Sequence, residues 1–403
     1  MAPAVRPPDR TDYFSGPVPR LRQPLKRSDE SSLTIVPIEG KADLKAFIRF
    51  PWSVYRGDPA WVPPLIRERK EYLDPTKNPL FRHAAVRLFL ARWEGVPVGR
   101  IAAVVNHHDL RYLNEKVGYF GLFETLPDLT VARALLERAA GWLREQGMAV
   151  MRGPVSLSVH DEVGLLVQGF ETPPMVLMSH NPPYYAQMLE QFGCSKVRDL
   201  YAYLLTATGP VAPAAVDRVA ELVARRGRIT IRTLRMAAFT QEVELIQRLY
   251  NEAWASNWGF VPMAPEDVAF MAARLKPLVD PELVLIGEIN GEPAGFALSL
   301  PDYNLVLKRM NGRLLPFGIV HFLLGRRRLN RLRIIALGIR PTYRKSGLEA
   351  LLYAETWRRG VARGFFYGEV SWVLEDNHLM RRAAEKLGGE LYKVYRIYDY
   401  PLS

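Results

Sequence analysis

The sequence has a single cysteine, Cys194, among its 403 residues. One cysteine excludes an internal disulfide framework and a cysteine-ligated zinc site, so we predict a small buried apolar side chain at this position. The sequence also lacks any stretch close to the roughly 18 uninterrupted apolar residues that a transmembrane helix needs. Its first residues contain no apolar segment typical of a secretory signal peptide. We therefore expect a cytoplasmic protein, with peripheral docking at the inner membrane face left open.

Acidic charge is in short supply. The chain has 42 acidic residues against 54 lysines and arginines, which gives a formal net charge of +12. Such a charge implies acidic partners, namely nucleic acid, anionic lipid or a phosphorylated ligand. We rank nucleic acid last, because no basic patch interleaved with aromatic residues is present.

What the sequence does contain is a strand, a short basic loop and a helix. The apolar run at residues 334–339 predicts the strand, and a helical pattern begins near Gly347. The first N–H groups of such a helix lack acceptors within it and can bind an anion, and Arg344 and Lys345 add positive charge at the same end. The loop fits neither the Walker A pattern nor the Rossmann pattern. It therefore predicts a cradle for phosphate or pyrophosphate, or else a basic turn that binds nothing.

Short segments recur in the same order along the chain. LTI at residues 33–35 recurs as ITI at 229–231, and EGVPVG at 94–99 recurs as NGEPAG at 290–295. Three further pairs follow in register at a spacing of roughly 200 residues, which predicts a tandem duplication. We predict a disordered tail rich in Pro and Arg at residues 1–32, a first domain at 33–206 and a second at 207–403.

Each copy predicts strand, helix, hairpin, strand, helix, strand, helix, strand. This order indicates an α/β (α+β) mixed sheet with helices on both faces. The second copy has an insertion of about 20 residues, in which an apolar run at 314–324 is followed by clustered arginines up to Arg333. The insertion fits an interfacial helix on anionic lipid, the wall of a channel for a long acyl chain, or a buried helix with a basic surface.

The basic loop R-K-S-G-L-E at residues 344–349 resembles the R-x-x-G-x-[GA] acyl-CoA loop of the GCN5-related N-acetyltransferase (GNAT) family. Glu349 departs from that pattern, since it replaces a small residue. The order of the elements is also similar to the GNAT order. Within the tandem GNAT proteins, the chain looks most like the bacterial group similar to ceramide synthase, on the segments at 153–164, 181–185, 257–262 and 371–377.

The resemblance implies two tandem GNAT-like domains with the acyl-CoA N-acyltransferase fold. It also implies acyl-CoA as the donor, no metal, and an N-acyltransferase that moves a fatty acyl group to a long-chain lipid amine such as a sphingoid base. Two alternatives stay open at this point. One is an aminoacyl transferase that uses charged transfer RNA, and the other is a catalytically inactive protein that binds acyl-CoA or lipid.

In GNAT enzymes the cofactor lies between the fourth and fifth strands, so the resemblance assigns cofactor contacts to nine residues. These are Leu337, Gly338, Ile339, Arg344, Lys345, Ser346, Gly347, Leu348 and Asn377. Glu375 is the leading candidate for the general base, with helix capping as the alternative. The tyrosine that usually protonates the leaving thiolate is missing from the last helix, where Met380, Arg381 and Ala384 occur.

The first copy lacks a glycine and cations where the second has its basic loop, and carries Glu124 and Asp128 there. We interpret these two acids as helix N-terminal charges that repel phosphate, so this copy is expected to have lost cofactor binding.

Two further groups of the first copy are candidates for catalysis. His160 and Glu162, with Asp161 between them, follow a predicted strand and could deprotonate an amine, although solvated loop polarity is the alternative. No second histidine at ligand spacing supports a metal. Tyr184 and Tyr185 begin the last helix of this copy and could supply the missing acid or simply pack. Asn181 lies at a position parallel to Asn377.

Overall fold

The computed structural model describes residues 32–209, 212–225, 227–314 and 318–402. Residues 1–31 of the predicted tail and residues 315–317 of the apolar run, including Phe317, lie outside the described residues. The chain divides into two units. The described N-terminal unit comprises residues 32–200, 307–321 and 393–402, and the C-terminal unit comprises residues 201–306 and 322–392. None of the helices in the described ranges is both long and apolar enough to cross a membrane.

The elements follow the predicted order in both copies. In the first copy they are β1 (Leu33–Pro37), α1 (Lys41–Arg49), α2 (Pro51–Val54), α3 (Ile66–Tyr72), β2 (Ala84–Trp93), β3 (Val96–Asn106), β4 (Val117–Thr125), α4 (Leu129–Glu145), β5 (Val150–Gly153), β6 (Leu165–Gln168), α5 (Tyr184–Phe192) and β7 (Ser195–Thr206). In the second copy they are α6 (Ala214–Ala224), β8 (Ile229–Thr233), α7 (Phe239–Trp254), α8 (Pro265–Leu275), β9 (Val284–Ile289), β10 (Glu292–Pro301), α9 (Asn304–Met310), α10 (Gly318–Gly325), β11 (Arg331–Ile339), α11 (Leu348–Ala362), β12 (Tyr367–Leu374), α12 (His378–Lys386) and β13 (Glu390–Pro401).

The sheet of the N-terminal unit is mixed. Strands β1 to β4 pair antiparallel in sequence order, and β4 pairs parallel with β5. The part of β13 that belongs to this unit pairs antiparallel with β5, where Tyr398 lies opposite Gly153. Helix α4 packs on this sheet through fully buried leucines such as Leu135. Cys194 is buried in the same core, and burial raises the pKa of its thiol to about 12, so the prediction for this residue is confirmed.

The sheet of the C-terminal unit repeats this order. Strands β8 to β11 pair antiparallel, β11 pairs parallel with β12, and residues 201–206 of β7 lie beside β12. Side chains alternate between the two faces of a strand. Ile286 and Phe296 accordingly share a cluster with α7, whereas Leu285 and Ala297 share one with α11. The predicted mixed sheet with helices on both faces is confirmed.

The two units exchange their last strands. The sequence places the domain boundary between residues 206 and 207, whereas the units divide inside β7, after Leu200, and inside β13, after Tyr392. The reason is backbone pairing, because the end of β13 hydrogen-bonds with β5 of the first copy, and the end of β7 lies beside β12 of the second. Sequence repetition therefore does not coincide with the units.

Candidate active site

The basic loop of the C-terminal unit joins β11 to α11 through a glycine in the left-handed region. Gly347 precedes α11 and has φ 87°, which residues with a side chain rarely adopt. A Cβ atom at Gly347 would lie 2.4 Å from Cγ2 of Val223 on α6. Glycine is therefore required by the local backbone and by packing against α6, in addition to the access to the backbone that the sequence predicts.

Positive charge lies at the start of the same helix. The first N–H groups of an α-helix have no acceptor within it, and Ser346 Oγ accepts a hydrogen bond from Leu348 N at 3.2 Å. Arg344 donates from Nη2 to Ala253 O at 3.0 Å, and the Arg344 and Lys345 side chains are exposed. Helix N–H donors and two cations at one exposed helix start can bind an anionic group such as a phosphate.

Glu349, where the GNAT loop pattern has a small residue, lies in the first turn of α11. Its Oε2 atom is buried without a hydrogen-bond partner among the described residues. A carboxylate in the first turn interacts favourably with the helix dipole. The loop thus carries one negative charge beside two positive charges and remains net positive.

A gap opens between β11 and β12 after four residues of pairing. The two strands form parallel pairs only over residues 331–334 and 367–370 of the described chain. At that point the register of β11 with β10 shifts between Leu298 and Ser299, which leaves Ile335 as an extra residue on β11. Such a β-bulge bends a strand and increases its twist. The remaining parts of β11 and β12 run side by side without a ladder between them.

Three predicted contact residues, Leu337, Gly338 and Ile339, lie in this unpaired part of β11. They pair with β10 on the other edge of the strand. Backbone groups of a strand point alternately to its two edges, so those that do not serve β10 face the gap and can bond an extended ligand. A Cβ atom at Gly338 would lie 2.3 Å from Cζ3 of Trp254, so glycine at this position is explained by packing against α7.

The start of α12 lies directly after β12. Asn377 caps this helix, since its side chain accepts a hydrogen bond from Met380 N at 3.1 Å. The backbone oxygen of Glu375 accepts a hydrogen bond from Arg381 Nη1 at 2.9 Å, and its side chain is half-buried. The capping role that the sequence left open for Glu375 is therefore performed by Asn377.

A buried polar network lies where β11 and β12 diverge, and the sequence analysis missed it. Arg333 pairs with Glu369 across the strands, and the two side chains are 2% and 0% exposed. Ser371 Oγ lies 2.8 Å from Arg333 Nε and 2.5 Å from Glu369 Oε1. Tyr392 donates a hydrogen bond to Glu369 Oε2. The signal available in the sequence was a pair of opposite charges inside two otherwise apolar strands.

The corresponding strands of the first copy enclose no such gap. Strand β4 pairs with β5 over residues 117–119 and 150–152, and Val155 N then donates to Phe120 O at 2.8 Å. A Cβ atom at Gly121 would lie only 1.7 Å from Val155 O. The backbone after β5 therefore fills the space between the strands.

The two acids of the first copy have different roles. Asp128 caps α4, since its Oδ1 accepts hydrogen bonds from Thr130 N and Val131 N at 2.9 and 3.3 Å. Its interpretation as a helix N-terminal charge is confirmed. The same interpretation is wrong for Glu124, which ends β4 with a side chain only 12% exposed and does not contact the helix start.

Glu124 is the centre of a buried cluster in the N-terminal unit. Its Oε2 atom accepts hydrogen bonds from the hydroxyls of Tyr55 and Tyr185, both at 2.9 Å, and Oε1 lies 3.7 Å from Arg100 Nη2. Burial raises the pKa of Glu124 to about 7, although Arg100 and the two hydroxyls favour the charged form. Sequence analysis missed Tyr55 and Arg100; Arg100 is recognisable as a lone charge inside the apolar strand β3.

The tyrosines at the start of α5 are held by hydrogen bonds. The Tyr184 hydroxyl donates to Thr125 O at 2.8 Å, and the Tyr185 hydroxyl also accepts from Thr125 N at 2.7 Å. Burial and the neighbouring Glu124 carboxylate raise the pKa of both phenols above the ordinary value. Asn181 binds both backbone groups of Leu166 and does not cap α5, so its parallel with Asn377 is wrong.

The loop of His160 to Glu162 is partly occupied by structural hydrogen bonds. Asp161 Oδ2 accepts a hydrogen bond from the Tyr72 hydroxyl at 2.6 Å, and Glu162 Oε2 lies 3.5 Å from Ser156 Oγ. Burial, with a contribution from the nearby His108, lowers the pKa of His160 to about 4. The described residues contain no group of three or more His, Cys, Asp or Glu side chains arranged to hold a metal ion.

Comparison with solved structures defines the class of protein. A tandem GNAT protein from the clavulanic acid biosynthesis pathway is 13% identical, with a TM-score of 0.54 over 92% of this chain and 99% of that one. A GCN5-related N-acetyltransferase from Sphaerobacter thermophilus is 14% identical, with a TM-score of 0.53 over 93% of this chain and 97% of that one. The chain thus has the tandem GNAT fold, as the sequence predicts.

Sequence relatives define the family within this class. The bacterial ceramide synthase of Caulobacter vibrioides (strain NA1000 / CB15N) is 37% identical over 387 residues, which is 93% of this chain and 99% of the relative. Protein YghO of Escherichia coli (strain K12) is 38% identical over 89% of this chain and 93% of its own length. No model of a known protein family matches the sequence. The chain belongs to the bacterial ceramide synthase family and is an N-acyltransferase.

Proposed function

We propose that the protein transfers a long acyl group from acyl-CoA to a lipid amine such as a sphingoid base. The observation that carries the proposal is the combination of a net positive glycine loop and an open gap between two strands in the C-terminal unit. A phosphate-bearing, extended thioester needs both features, a charged cradle for its pyrophosphate and a row of backbone groups for its amide-containing arm. The name of the relative from Caulobacter vibrioides supports the choice of acceptor.

In this proposal the donor contacts nine residues of the C-terminal unit. Arg344, Lys345, Ser346, Gly347 and Leu348 hold the pyrophosphate at the start of α11, Leu337, Gly338 and Ile339 bond the arm, and Asn377 borders the gap at the start of α12. Extended backbone edges and helix N–H groups bind the parts that all acyl-CoA molecules share. The acyl chain length is therefore selected elsewhere.

Glu375 is the proposed general base. An amine attacks a thioester only after it has lost its proton, and a positioned carboxylate that accepts this proton contributes about 10²–10⁴-fold to the rate. Glu375 lies between β12 and the Asn377 cap, and no cap role competes for its half-buried side chain. The proton leaves the ammonium for the Glu375 carboxylate, the nitrogen forms the C–N bond, and the C–S bond breaks. A second proton from the nitrogen then converts the thiolate into a thiol.

The four candidates of the N-terminal unit are assigned lesser roles. His160 is neutral at pH 7 and, with a pKa of about 4, is too weak a base to hold an ammonium proton. Tyr184 and Tyr185 remain protonated and keep a proton-donor role open, while Glu162 adds negative charge near Glu124.

The helix α10 and the arginines after it suit an anionic membrane surface. Ile319, Val320, Leu323 and Leu324 are 43%, 50%, 51% and 64% exposed, which is more typical of a docking surface than of a channel wall. Arg326, Arg327 and Arg328 follow directly and are exposed. Apolar side chains beside a basic cluster bind the interface of anionic lipid.

The proposal is tested by acyl transfer from CoA thioesters of increasing chain length to a sphingoid base, a short alkylamine and an amino acid. We expect long-chain donors and the sphingoid base to be preferred. Glu375→Gln should lower kcat at least 100-fold with unchanged affinity for acyl-CoA, because only proton transfer is lost. Transfer from charged transfer RNA, or tight acyl-CoA binding without transfer to any amine, would favour the alternatives named above.

Membrane docking is tested separately with vesicles that contain anionic lipid. Leu323→Asp combined with Leu324→Asp should reduce vesicle binding at least tenfold, and added salt should weaken what remains, since surface charges are screened within about 10 Å at 0.1 M salt. Val96→Asp, at another 57% exposed apolar position, is the matched control. Binding that is equal for both variants, or indifferent to salt, would rule out this surface.

A further inference from the structure

A pocket of about 440 Å³ lies in the N-terminal unit, away from the basic loop and the strand gap in sequence. It is lined by residues of the α2 region and of the inserted segment, namely Trp52, Tyr55, Arg56, Gly57, Asp58, Trp61, Pro63, Lys308 and Asn311. This volume is in the range of roughly 300–1,000 Å³ that holds small ligands. None of these residues is among the candidates that the sequence singled out.

Aromatic rings form one wall of the pocket. Tyr55 stacks on Trp61 with a centroid distance of 4.8 Å, and Trp52 meets Trp61 edge to face at 5.2 Å. The Trp52 indole donates to Asn311 Oδ1 at 2.8 Å, which ties the inserted segment to this wall. The rings are therefore held in place, and they offer apolar surface together with the electron-rich faces that attract cations.

The charges of the pocket are ordered from inside to outside. Asp58 is 12% exposed, and its Oδ2 lies 2.8 Å from Nε2 of His180, which is 4% exposed. Burial acts to raise the pKa of Asp58, but the hydrogen bond and charge of His180 outweigh it, so the pKa lies below the ordinary value. Arg56 and Lys308 are exposed, and Lys308 donates to Pro59 O. The pocket thus has an ionised acid inside and cations at its rim.

A second carboxylate lies behind the aromatic wall. The Tyr55 hydroxyl is 2.9 Å from Glu124 Oε2 and 3.0 Å from the backbone oxygen of His180. It can therefore donate to Glu124 when that carboxylate is charged, and to His180 O when Glu124 is protonated. In addition to Tyr55, the groups that face Glu124 are Arg100 from β3, Tyr184 and Tyr185 from α5, and Glu162 from the loop after β5.

We propose that this pocket binds the head of the acceptor, a primary ammonium with hydroxyl groups on the neighbouring carbons. The ammonium lies against Asp58 and the aromatic faces, and the hydroxyl groups meet Lys308 and Asn311 at the rim. The assignment of the ligand as the acceptor rests on the proposed function, whereas the binding site itself does not. A simple anion is a poor fit, because it would meet the Asp58 carboxylate once it passed the rim.

Glu124 makes this binding depend on pH. Its ionisation places a second negative charge behind Tyr55, so an ammonium in the pocket is favoured more strongly when Glu124 is charged. Because the pKa of Glu124 is about 7, affinity should increase as the pH rises through that value. The increase ends where the amine itself loses its proton.

The test measures binding of a soluble short-chain 2-amino-1,3-diol by calorimetry, with the full-length protein and without acyl-CoA. Asp58→Asn should weaken binding at least tenfold, and Glu145→Gln, which removes a 63% exposed carboxylate from α4, should not. Trp52→Ala, which removes the partly exposed ring, should weaken binding as well and serves if Asp58→Asn fails to fold. The corresponding diol without the amine, and inorganic phosphate, should not bind measurably.

Two results would overturn the proposal. The first is equal affinity for the amine-free diol or for phosphate. The second is unchanged binding in both pocket variants with the fold intact. Glu124→Gln should retain binding but lose its increase with pH, and a persisting increase would remove Glu124 from the site. A variant of the basic loop that no longer binds acyl-CoA should still bind the amino diol. Loss of the acyl-CoA proposal therefore leaves this one standing, and the reverse also holds.

Discussion

The two copies place the same elements around the fourth and fifth strands, yet only the second leaves space between them. In the second copy a β-bulge at Ile335 coincides with the end of pairing, and β11 and β12 continue apart. In the first copy the backbone after β5 returns to β4 and bonds Phe120, with Gly121 allowing an approach that no side chain would permit. A ligand gap in this fold therefore depends on the path of a few residues after the fifth strand.

The helices that follow the fourth strands differ in the same direction. In α4 the carboxylate of Asp128 accepts hydrogen bonds from two N–H groups of the first turn, so those donors and their positive dipole are already satisfied. In α11 the residue before the helix is Gly347, which has no side chain that could do this. An anion site at a helix start is removed most simply by an acidic cap.

The largest expected effect is on the basic loop. Arg344→Gln with Lys345→Gly removes both cations, and glycine at 345 also suits the positive φ of 67° at that position. We expect the affinity for acyl-CoA to fall at least tenfold, about 1.4 kcal/mol, with no loss of thermal stability. The measurement is calorimetric titration with acyl-CoA.

Its control removes two exposed cations elsewhere in the same unit. Arg225→Gln with Arg358→Gln, at positions 78% and 62% exposed, keeps the net charge equal to that of the loop variant. Equal affinities of the two double variants would mean that overall charge, and not the loop, attracts the ligand. Gly347→Asp is less informative, because the strain and the contact with Val223 would confuse loss of binding with loss of structure.

The next effect concerns the number of sites. If the closed strands and the acidic cap of the first copy exclude the donor, the protein binds one acyl-CoA per chain. Asp128→Ser keeps a helix cap but removes the charge, and this variant should still bind one. A second equivalent of bound acyl-CoA, in the wild type or in the variant, would contradict the difference between the copies.

The smallest effect is on stability and distinguishes the buried acid of the first copy. The folded pKa of Glu124 is about 7 against an ordinary 4.5. Between these values the unfolded chain has released the proton and the folded chain has kept it, so this group lowers stability as the pH rises. Glu124→Gln should therefore gain in melting temperature over the wild type from about pH 4.5 to pH 7, by a few degrees, and the difference should then remain constant.

Thermal unfolding at several pH values measures this difference. Glu145→Gln is again the control, because an exposed carboxylate should give a difference that does not change with pH. A Glu124 variant that behaves like the control would mean that the carboxylate is charged throughout this range.

The sequence predicted best where the signal is local. The apolar run at 334–339 lies within β11, the helix after it begins at Leu348, next to the predicted start, and the repeats give the correct order of strands and helices. Each of these depends on neighbours in the chain, through apolar periodicity and turn glycines. The candidate site residues of the loop also follow from local pattern, and their contacts with a donor stay a prediction.

Distant contacts explain what the sequence could not give. The pKa of Glu124 depends on Tyr55 and Tyr185, which lie far from it in the chain, so an acid before a helix was interpreted as an ordinary helix charge. Asn181 and Asn377 occupy similar places in the repeats, but one bonds a strand and the other caps a helix. The pocket at Trp52 and Lys308 joins two segments about 250 residues apart, which no local pattern reveals.

The exchange of last strands has a consequence for how the chain is made. Residues 393–402 leave the ribosome after the whole second copy, yet they complete the sheet of the N-terminal unit, where Lys393 is fully buried and donates to Thr172 O at 2.8 Å. The first half of the chain therefore cannot close its sheet during synthesis and must wait with β5 unpaired on one edge. For the same reason a gene split between codons 206 and 207 would yield two fragments, each missing a strand that only the other can supply.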